Sequence, residues 1–307
     1  MVDGLDADFF RRPSERPQLA VVLLGGSEGG RSWSYCPEFI HELVDQGYCV
    51  LSLPYFGTDQ LPPHLRSIPL EYFSKALHWL SAQEGVVIPD HFALVGLSRG
   101  AELALLVASR HPEVKAVVAI APSSVVYPGP PTGKWDALSG QHSAWSESGK
   151  ELPFVPMAYS VTTLRGLMSG KQTRMFEIAL QNTRRVEKAA IPVESIRGPI
   201  LLTSYTRDEI WPSTLMSEQI VQRLKDRNFP FYYGHARYDA GHADWSIDAC
   251  RTNILGFLRE HFLLPAKPRS THGSDEKAMV EPGGAANGSR PIRSETNRTS
   301  SAAGSGG

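Results

Sequence analysis

Short apolar stretches with the character of β-strands alternate with longer amphipathic stretches along most of this chain. The predicted strands cover residues 19–24, 48–53, 91–95, 115–120, 199–204 and 229–238. The predicted helices cover residues 34–46, 69–82, 98–110, 213–225 and 246–262. Strands separated by helices are typical of βαβ units, in which neighbouring strands run parallel. The sequence therefore predicts an α/β fold with a mostly parallel central sheet and helices on both faces.

The pentapeptide Gly96-Leu97-Ser98-Arg99-Gly100 lies where one predicted strand passes directly into a predicted helix. Such a tight turn strains its central residue, and glycines on both sides let the strand and the helix approach each other. The Ser98 hydroxyl would then project beyond the end of the sheet. We interpret Ser98 as a catalytic nucleophile. The alternative is a serine in an ordinary strand-to-helix turn.

A serine nucleophile at neutral pH needs a histidine base and an acid that orients the histidine. The pentapeptide resembles the nucleophile turn of α/β-hydrolases, in which the acid and then the histidine follow the serine along the chain, each after a later strand. The loop after the predicted strand 199–204 contains Asp208 and Glu209. We assign the acid to Asp208, and Glu209 is the competing carboxylate.

The histidine is expected in the loop after the last predicted strand, 229–238. That loop contains His242, which is our predicted base. His235 is the alternative, but it lies within the strand-like run, where a side chain packs on the sheet or faces solvent.

Acyl transfer also needs backbone N–H groups that stabilise the negative charge of the tetrahedral intermediate. The residue after the nucleophile supplies one such group, here the N–H of Arg99. A glycine-rich loop, residues 25–30, follows the first predicted strand, and we assign the second N–H to Ser27. This loop matches neither of the common nucleotide-binding glycine motifs, so a phosphate site is disfavoured. A mechanism with these parts requires no metal and no organic cofactor.

The bulk properties limit the possible partners. The formal net charge is -1, there is no long basic run, and no apolar stretch approaches the roughly 20 residues needed to span a bilayer. Cys36, Cys49 and Cys250 are far apart and fit reduced thiols, and the acidic N-terminus lacks the pattern of a signal peptide. We therefore expect a cytoplasmic protein that acts on a small molecule and binds neither nucleic acid nor membrane.

Composition also suggests a division of the chain. Residues 1–18 are predicted to form an N-terminal extension and residues 19–264 a catalytic domain. Between about 123 and 192 the strand-helix alternation gives way to a region rich in Pro, Gly and Trp, which we interpret as a cap insertion over the sheet. Its large apolar side chains either line an acyl pocket or anchor the cap to the core. Residues 265–307 are rich in Ser, Gly and Ala and are predicted to be disordered.

Several motifs together resemble a known family. They are Leu-Gly-Gly-Ser-Glu-Gly-Gly at 24–30, Pro-Leu-Glu-Tyr-Phe at 69–73, Gly-Leu-Ser-Arg-Gly-Ala-Glu-Leu at 96–103, Ile-Pro-Val-Glu at 191–194, Asp208 with Trp-Pro-Ser at 211–213, and Ala-Gly-His at 240–242. Over residues 19–262 the chain resembles the catalytic C-terminal domain shared by type I acyl-CoA thioesterases and bile acid-CoA:amino acid N-acyltransferases.

The resemblance implies an α/β-hydrolase fold, a triad of Ser98, Asp208 and His242, and a thioester substrate of the acyl-CoA type. Members that transfer the acyl group to an amino acid carry cysteine in the place of Ser98, so the resemblance implies hydrolysis. Three alternatives stay open: a carboxylesterase or dienelactone-hydrolase-like enzyme, an acyltransferase of a biosynthetic pathway, and a non-catalytic ligand-binding protein on the same fold.

Overall fold

The computed structural model describes residues 5–131, 140–157, 172–242, 244 and 247–262, all within one compact unit. The strands in these ranges are β1 Asp8–Phe10, β2 Gln18–Leu24, β3 Cys49–Ser52, β4 Ile68–Pro69, β5 Val87–Leu97, β6 Val114–Ile120, β7 Trp145–Glu147, β8 Lys150–Glu151, β9 Ile200–Tyr205 and β10 Tyr233–Tyr238. The α-helices are α1 Pro37–Asp45, α2 Glu71–Ser81, α3 Arg99–Ala108, α4 Thr173–Leu180, α5 Thr183–Ala189, α6 Ser213–Asp226 and α7 Asp248–Phe257. No helix within these ranges is long and apolar enough to cross a membrane.

Seven strands form the central sheet in the order β1, β3, β2, β5, β6, β9, β10. All neighbouring pairs are parallel except β1 and β3, which are antiparallel. The carboxyl ends of six strands therefore meet at one edge of the sheet. In open sheets of this kind, ligands bind outside that edge. The predicted α/β architecture with a mainly parallel sheet is confirmed.

Helices cover both faces of the sheet. In β2, Ala20, Val22 and Leu24 pack in the layer that contains α2, α3 and α6, whereas Val21 and Leu23 pack in the layer that contains α1 and α7. Strands buried on both faces read as continuous apolar runs because neither face contacts water. This explains why the strand-like stretches of the sequence lack polar alternation.

Two features of the sheet depart from the expectations. Strand β1 lies inside the segment assigned to an N-terminal extension, and three half-exposed residues are too few to give a periodic signal. Arg31 forms ion pairs with Asp8 of β1 and with Asp6, two residues before it. The last strand starts at Tyr233 rather than at 229. Among residues 229–232, which lie outside the strand, Pro230 lacks the backbone N–H that pairing in a sheet requires.

The region between β6 and β9 contains part of the predicted cap. Its described residues form α4, α5, β7 and β8, and β7 pairs both with β8 and with β4, which lies before α2 in the chain. Trp145, Met175 and Phe176 are buried in the same core layer as α2 and α3. The described apolar side chains therefore anchor this region to the core. The cap assignment and the boundary at 264 stay predictions, and the tail predicted over 265–307 lies outside the described residues.

Candidate active site

Ser98 occupies the turn between β5 and α3 in a strained conformation. Its φ is +56° and its ψ is -113°, a backbone geometry that non-glycine residues rarely adopt. A Cβ on Gly96 would lie 2.0 Å from the carbonyl oxygen of Gly100, and one on Gly100 would lie 2.2 Å from that of Leu24. Both glycines are therefore needed for the close approach of strand, helix and neighbouring loop. A strained backbone persists only where the surrounding structure enforces it, and such residues are frequent at functional sites. This turn therefore marks a candidate site.

His242 lies opposite this serine. Its Nε2 is 2.9 Å from the Ser98 Oγ, although 144 residues separate the two along the chain. The imidazole side chain is 13% exposed, so the hydrogen bond is largely shielded from water. The parallel sheet brings them together because β5 and β10 both end at the same edge.

Asp208, in the loop after β9, holds the other side of the imidazole. Both carboxylate oxygens lie 2.9 Å from the His242 Nδ1. Its Oδ1 also accepts the backbone N–H groups of Ile210 and Trp211, at 3.0 and 3.1 Å. The carboxylate is thus fixed in orientation and is 2% exposed. It favours the tautomer of His242 that carries its proton on Nδ1 and leaves Nε2 free to accept one.

The two competing residues occupy other positions. Glu209 accepts the backbone N–H of His242 through its Oε2, at 3.2 Å, and so contacts the histidine loop rather than the imidazole ring. His235 lies in β10 and its Nε2 is 2.7 Å from the Ser204 Oγ. Burial lowers the pKa of His235 to about 4, and Arg237 acts in the same direction. The structure therefore brings Ser98, His242 and Asp208 together and leaves His235 outside the arrangement.

The glycine-rich loop after β2 lies directly against the start of α3. A Cβ on Gly100 would contact the carbonyl oxygen of Gly25 at 2.3 Å, so the predicted oxyanion donors belong to adjoining segments. The Tyr55 hydroxyl donates to the Gly25 carbonyl at 2.6 Å, and the Gly26 N–H donates to the Glu28 carboxylate at 2.9 Å. Burial raises the pKa of Tyr55, and nearby Glu28 adds to the rise, so the hydroxyl remains a donor. Ser27 is exposed within this fixed loop.

Trp211 connects the parts of this site, whereas in the sequence it was quoted only within the motif Trp-Pro-Ser at 211–213 and had no role assigned to it. Its ring packs edge-on against the His242 imidazole, with centroids 6.0 Å apart and planes at 82°. Its Nε1 donates to the carbonyl of Ala121, the residue after β6, at 3.1 Å. The signal in the sequence was an aromatic residue three positions after the acid in a loop that otherwise carries charges.

A serine at a strained turn after a central parallel strand, with an aspartate and a histidine after later strands, is the layout of the α/β-hydrolases. The fold places this chain in that class. Within the part of the chain that the structure describes, no group of three or more His, Cys, Asp or Glu side chains has the arrangement of a metal site.

Comparison with known proteins gives the family. The family model described as BAAT / Acyl-CoA thioester hydrolase C terminal matches residues 68–243, which is more than half of the chain. The chain belongs to this family.

Curated relatives carry two kinds of name. The acyl-coenzyme A thioesterase 1 of Mus musculus is 28% identical over 221 residues, which are 71% of this chain and 47% of the relative. The acyl-coenzyme A amino acid N-acyltransferase 1 of Mus musculus is 27% identical over 221 residues, 70% of this chain and 46% of the relative. The chain spans about half the length of these relatives. The family and the thioesterase relative support a hydrolase.

Solved structures agree on the fold. An esterase of Pyrococcus furiosus superposes with a TM-score of 0.54 at 15% identity, over 80% of this chain and 84% of that one. A puromycin-hydrolysing peptidase of Mycobacterium tuberculosis gives 0.57 at 16% identity, over 86% of this chain and 38% of that one. At such identities the likeness establishes the α/β-hydrolase fold alone.

Proposed function

We propose that this protein is a serine hydrolase that cleaves an acyl thioester of the acyl-CoA type through an acyl-enzyme. The observation that carries the proposal is the continuous hydrogen-bonded chain from Ser98 through His242 to Asp208, with 2.9 Å at each step. Membership of the thioester hydrolase family supports the substrate class.

In the first half of the reaction, the Ser98 Oγ attacks the thioester carbonyl while His242 Nε2 accepts the hydroxyl proton. The resulting imidazolium is stabilised by the buried Asp208 carboxylate. The oxyanion is placed on the backbone N–H groups of Arg99 and Ser27. His242 then donates its proton to the departing thiolate, and the acyl group stays on the serine as an ester.

In the second half, a water molecule attacks the acyl-enzyme. His242 accepts a proton from the water, the tetrahedral intermediate again uses the two N–H groups, and the serine oxygen leaves with the proton from His242. The products are a free acid and the restored enzyme. Every step uses groups of this chain and water.

The test is thiol release from acyl-CoA esters of increasing chain length, run beside p-nitrophenyl esters of the same acids. Ser98→Ala is the control, and it is expected to abolish turnover while the circular dichroism spectrum stays unchanged. Serine-dependent thiol release with an optimum of chain length supports the thioesterase. Hydrolysis of the oxygen esters alone assigns the protein to the carboxylesterases instead.

Acyl transfer is a second candidate because some relatives are named as amino acid N-acyltransferases. The same assay with added amino acids distinguishes it. An amide product that forms at the expense of the free acid would assign the protein to the acyltransferases instead of the hydrolases.

Location in the cytoplasm stays a prediction from the sequence.

A further inference from the structure

A buried ion pair lies at the start of α3, next to Ser98. All residues of this helix are buried, yet two of them are charged. Arg99 is 6% exposed and Glu102 fully buried, and the Arg99 Nη1 lies 2.8 Å from the Glu102 Oε2. Charged side chains are buried to this extent only when they are paired and hydrogen-bonded.

Further hydrogen bonds fix both side chains. The Arg99 Nη2 donates to the carbonyl oxygen of Pro128. The Glu102 Oε1 accepts the indole N–H of Trp145 at 2.7 Å and the backbone N–H of Tyr127 at 3.2 Å. Burial raises the pKa of Glu102, and Arg99 with these two N–H groups opposes the rise. The pair is therefore held in one geometry by partners on two sides.

These partners belong to a different part of the molecule from the nucleophile turn. Tyr127 and Pro128 follow β6, and Trp145 begins β7, so the pair ties the start of α3 to the region between β6 and β9. The Arg99 guanidinium also lies 5.6 Å from the ring centroid of Trp211, whose indole packs against His242. Arg99 thus directly follows Ser98 in the chain, and its side chain contacts the indole that packs against His242.

We propose that the side chains of Arg99 and Glu102 are positioning residues, which fix the backbone N–H of Arg99 as an oxyanion donor and hold Trp211 against His242. This inference rests on the proposed serine hydrolase mechanism. A buried ion pair contributes little to the free energy of unfolding compared with well-packed neutral residues. A contribution to stability alone therefore does not explain why Arg99 and Glu102 are buried here. An oxyanion donor, in contrast, must be held in a fixed direction before the charge develops.

The test compares two double variants. Arg99→Met/Glu102→Gln removes both charges, keeps side chains of similar length, and leaves an acceptor for the N–H groups of Trp145 and Tyr127. Arg110→Met/Glu147→Gln is the matched control. It makes the same chemical changes in a pair 2.9 Å apart that joins the chain just beyond the other end of α3 to β7.

Active sites are counted by labelling Ser98 with a fluorophosphonate, and kcat and KM are then measured on the best ester or thioester. Complete loss of one oxyanion donor costs about 10²–10³ in kcat. We expect Arg99→Met/Glu102→Gln to lower kcat at least about tenfold per labelled serine with KM little changed. The inhibition constant of a trifluoromethyl ketone, which forms an oxyanion on Ser98, should rise by the same factor. The control variant should behave as wild type.

A purely structural pair would give another result: a lower melting temperature with unchanged kcat per labelled serine, or equal losses in both double variants. Either result overturns the inference while the proposed function stands. If the wild type hydrolyses no ester but reacts with the fluorophosphonate, the labelling rate replaces kcat in the same comparison. If Ser98 of the wild type is not labelled, the proposed function fails and the positioning role fails with it.

Discussion

The substitution Asp208→Asn tests the direction of the hydrogen bonds in the site. Asp208 Oδ1 accepts two backbone N–H groups, from Ile210 and Trp211. An asparagine must keep its carbonyl oxygen at this position, because its NH₂ group would face two donors there. Its NH₂ group then occupies the place of Oδ2, 2.9 Å from the His242 Nδ1. The carbonyl oxygen lies equally close to Nδ1, but both of its lone pairs are taken by the two backbone N–H groups, so the NH₂ group is the available partner for Nδ1.

The consequence is a change of tautomer. The asparagine donates to Nδ1, so the proton of His242 moves to Nε2, and Nε2 no longer accepts the proton of Ser98. A triad with the wrong tautomer loses about 10⁴ in kcat, which corresponds to about 5 kcal/mol in the activation free energy. The loss in kcat should become smaller at high pH, where hydroxide can accept the proton of Ser98 in place of His242.

The matched control is Glu209→Gln, which makes the same chemical change at the neighbouring residue. A glutamine keeps an oxygen that accepts the backbone N–H of His242, so kcat should stay close to that of the wild type. The assay is steady-state hydrolysis with titrated active sites, together with thermal unfolding of both variants. A loss of less than about tenfold for Asp208→Asn, or an equal loss for both variants, would refute the tautomer reasoning.

Two further predictions concern stability. Gly96→Ala should destabilise the protein by about 1–3 kcal/mol or more, since the new Cβ would lie 2.0 Å from a backbone oxygen. The control is Gly256→Ala in α7, where the new Cβ meets open space and the change should be neutral or stabilising. Urea unfolding of both variants checks this. The lowered pKa of His235 means that the unfolded chain binds a proton between pH 6.5 and 4 that the folded chain does not. The contribution of neutral His235 to the free energy of unfolding should therefore be fully present above pH 6.5 and decrease by up to roughly 3 kcal/mol toward pH 4. Urea unfolding at several pH values checks this, and His235→Gln should make the pH dependence weaker.

The parts of the molecule that local sequence signals define were predictable. Ser98 lies between an apolar strand and a helix, and Asp208 and His242 each follow a strand of the same sheet. Parallel strands end at a common edge, so the order of the elements was enough to bring these three residues together. The oxyanion donors Arg99 and Ser27 stay predictions, because the order of the elements does not determine the direction in which a loop N–H points.

Contacts over long stretches of sequence were not predictable. The partners of Arg99 and Glu102 include Pro128 and Trp145, which are 29 and 43 residues away along the chain. The sequence contains only the two charges at helical spacing in an otherwise apolar helix, a pattern that predicts pairing but not its surroundings. The three-residue strand β1 is similar, because its Asp8 pairs with Arg31, 23 residues away, and the strand it pairs with, β3, begins only at Cys49.

His242 follows β10, which lies at the edge of the central sheet and pairs with β9 alone. Edge elements open more readily than the strands at the centre, because fewer contacts must break. Ser98 follows β5, which has a strand on each side. We therefore expect the two halves of the site to differ in local stability. Under mild denaturation, hydrolysis should disappear before the sheet unfolds, so activity reports on the docking of the last strand rather than on the folded state as a whole.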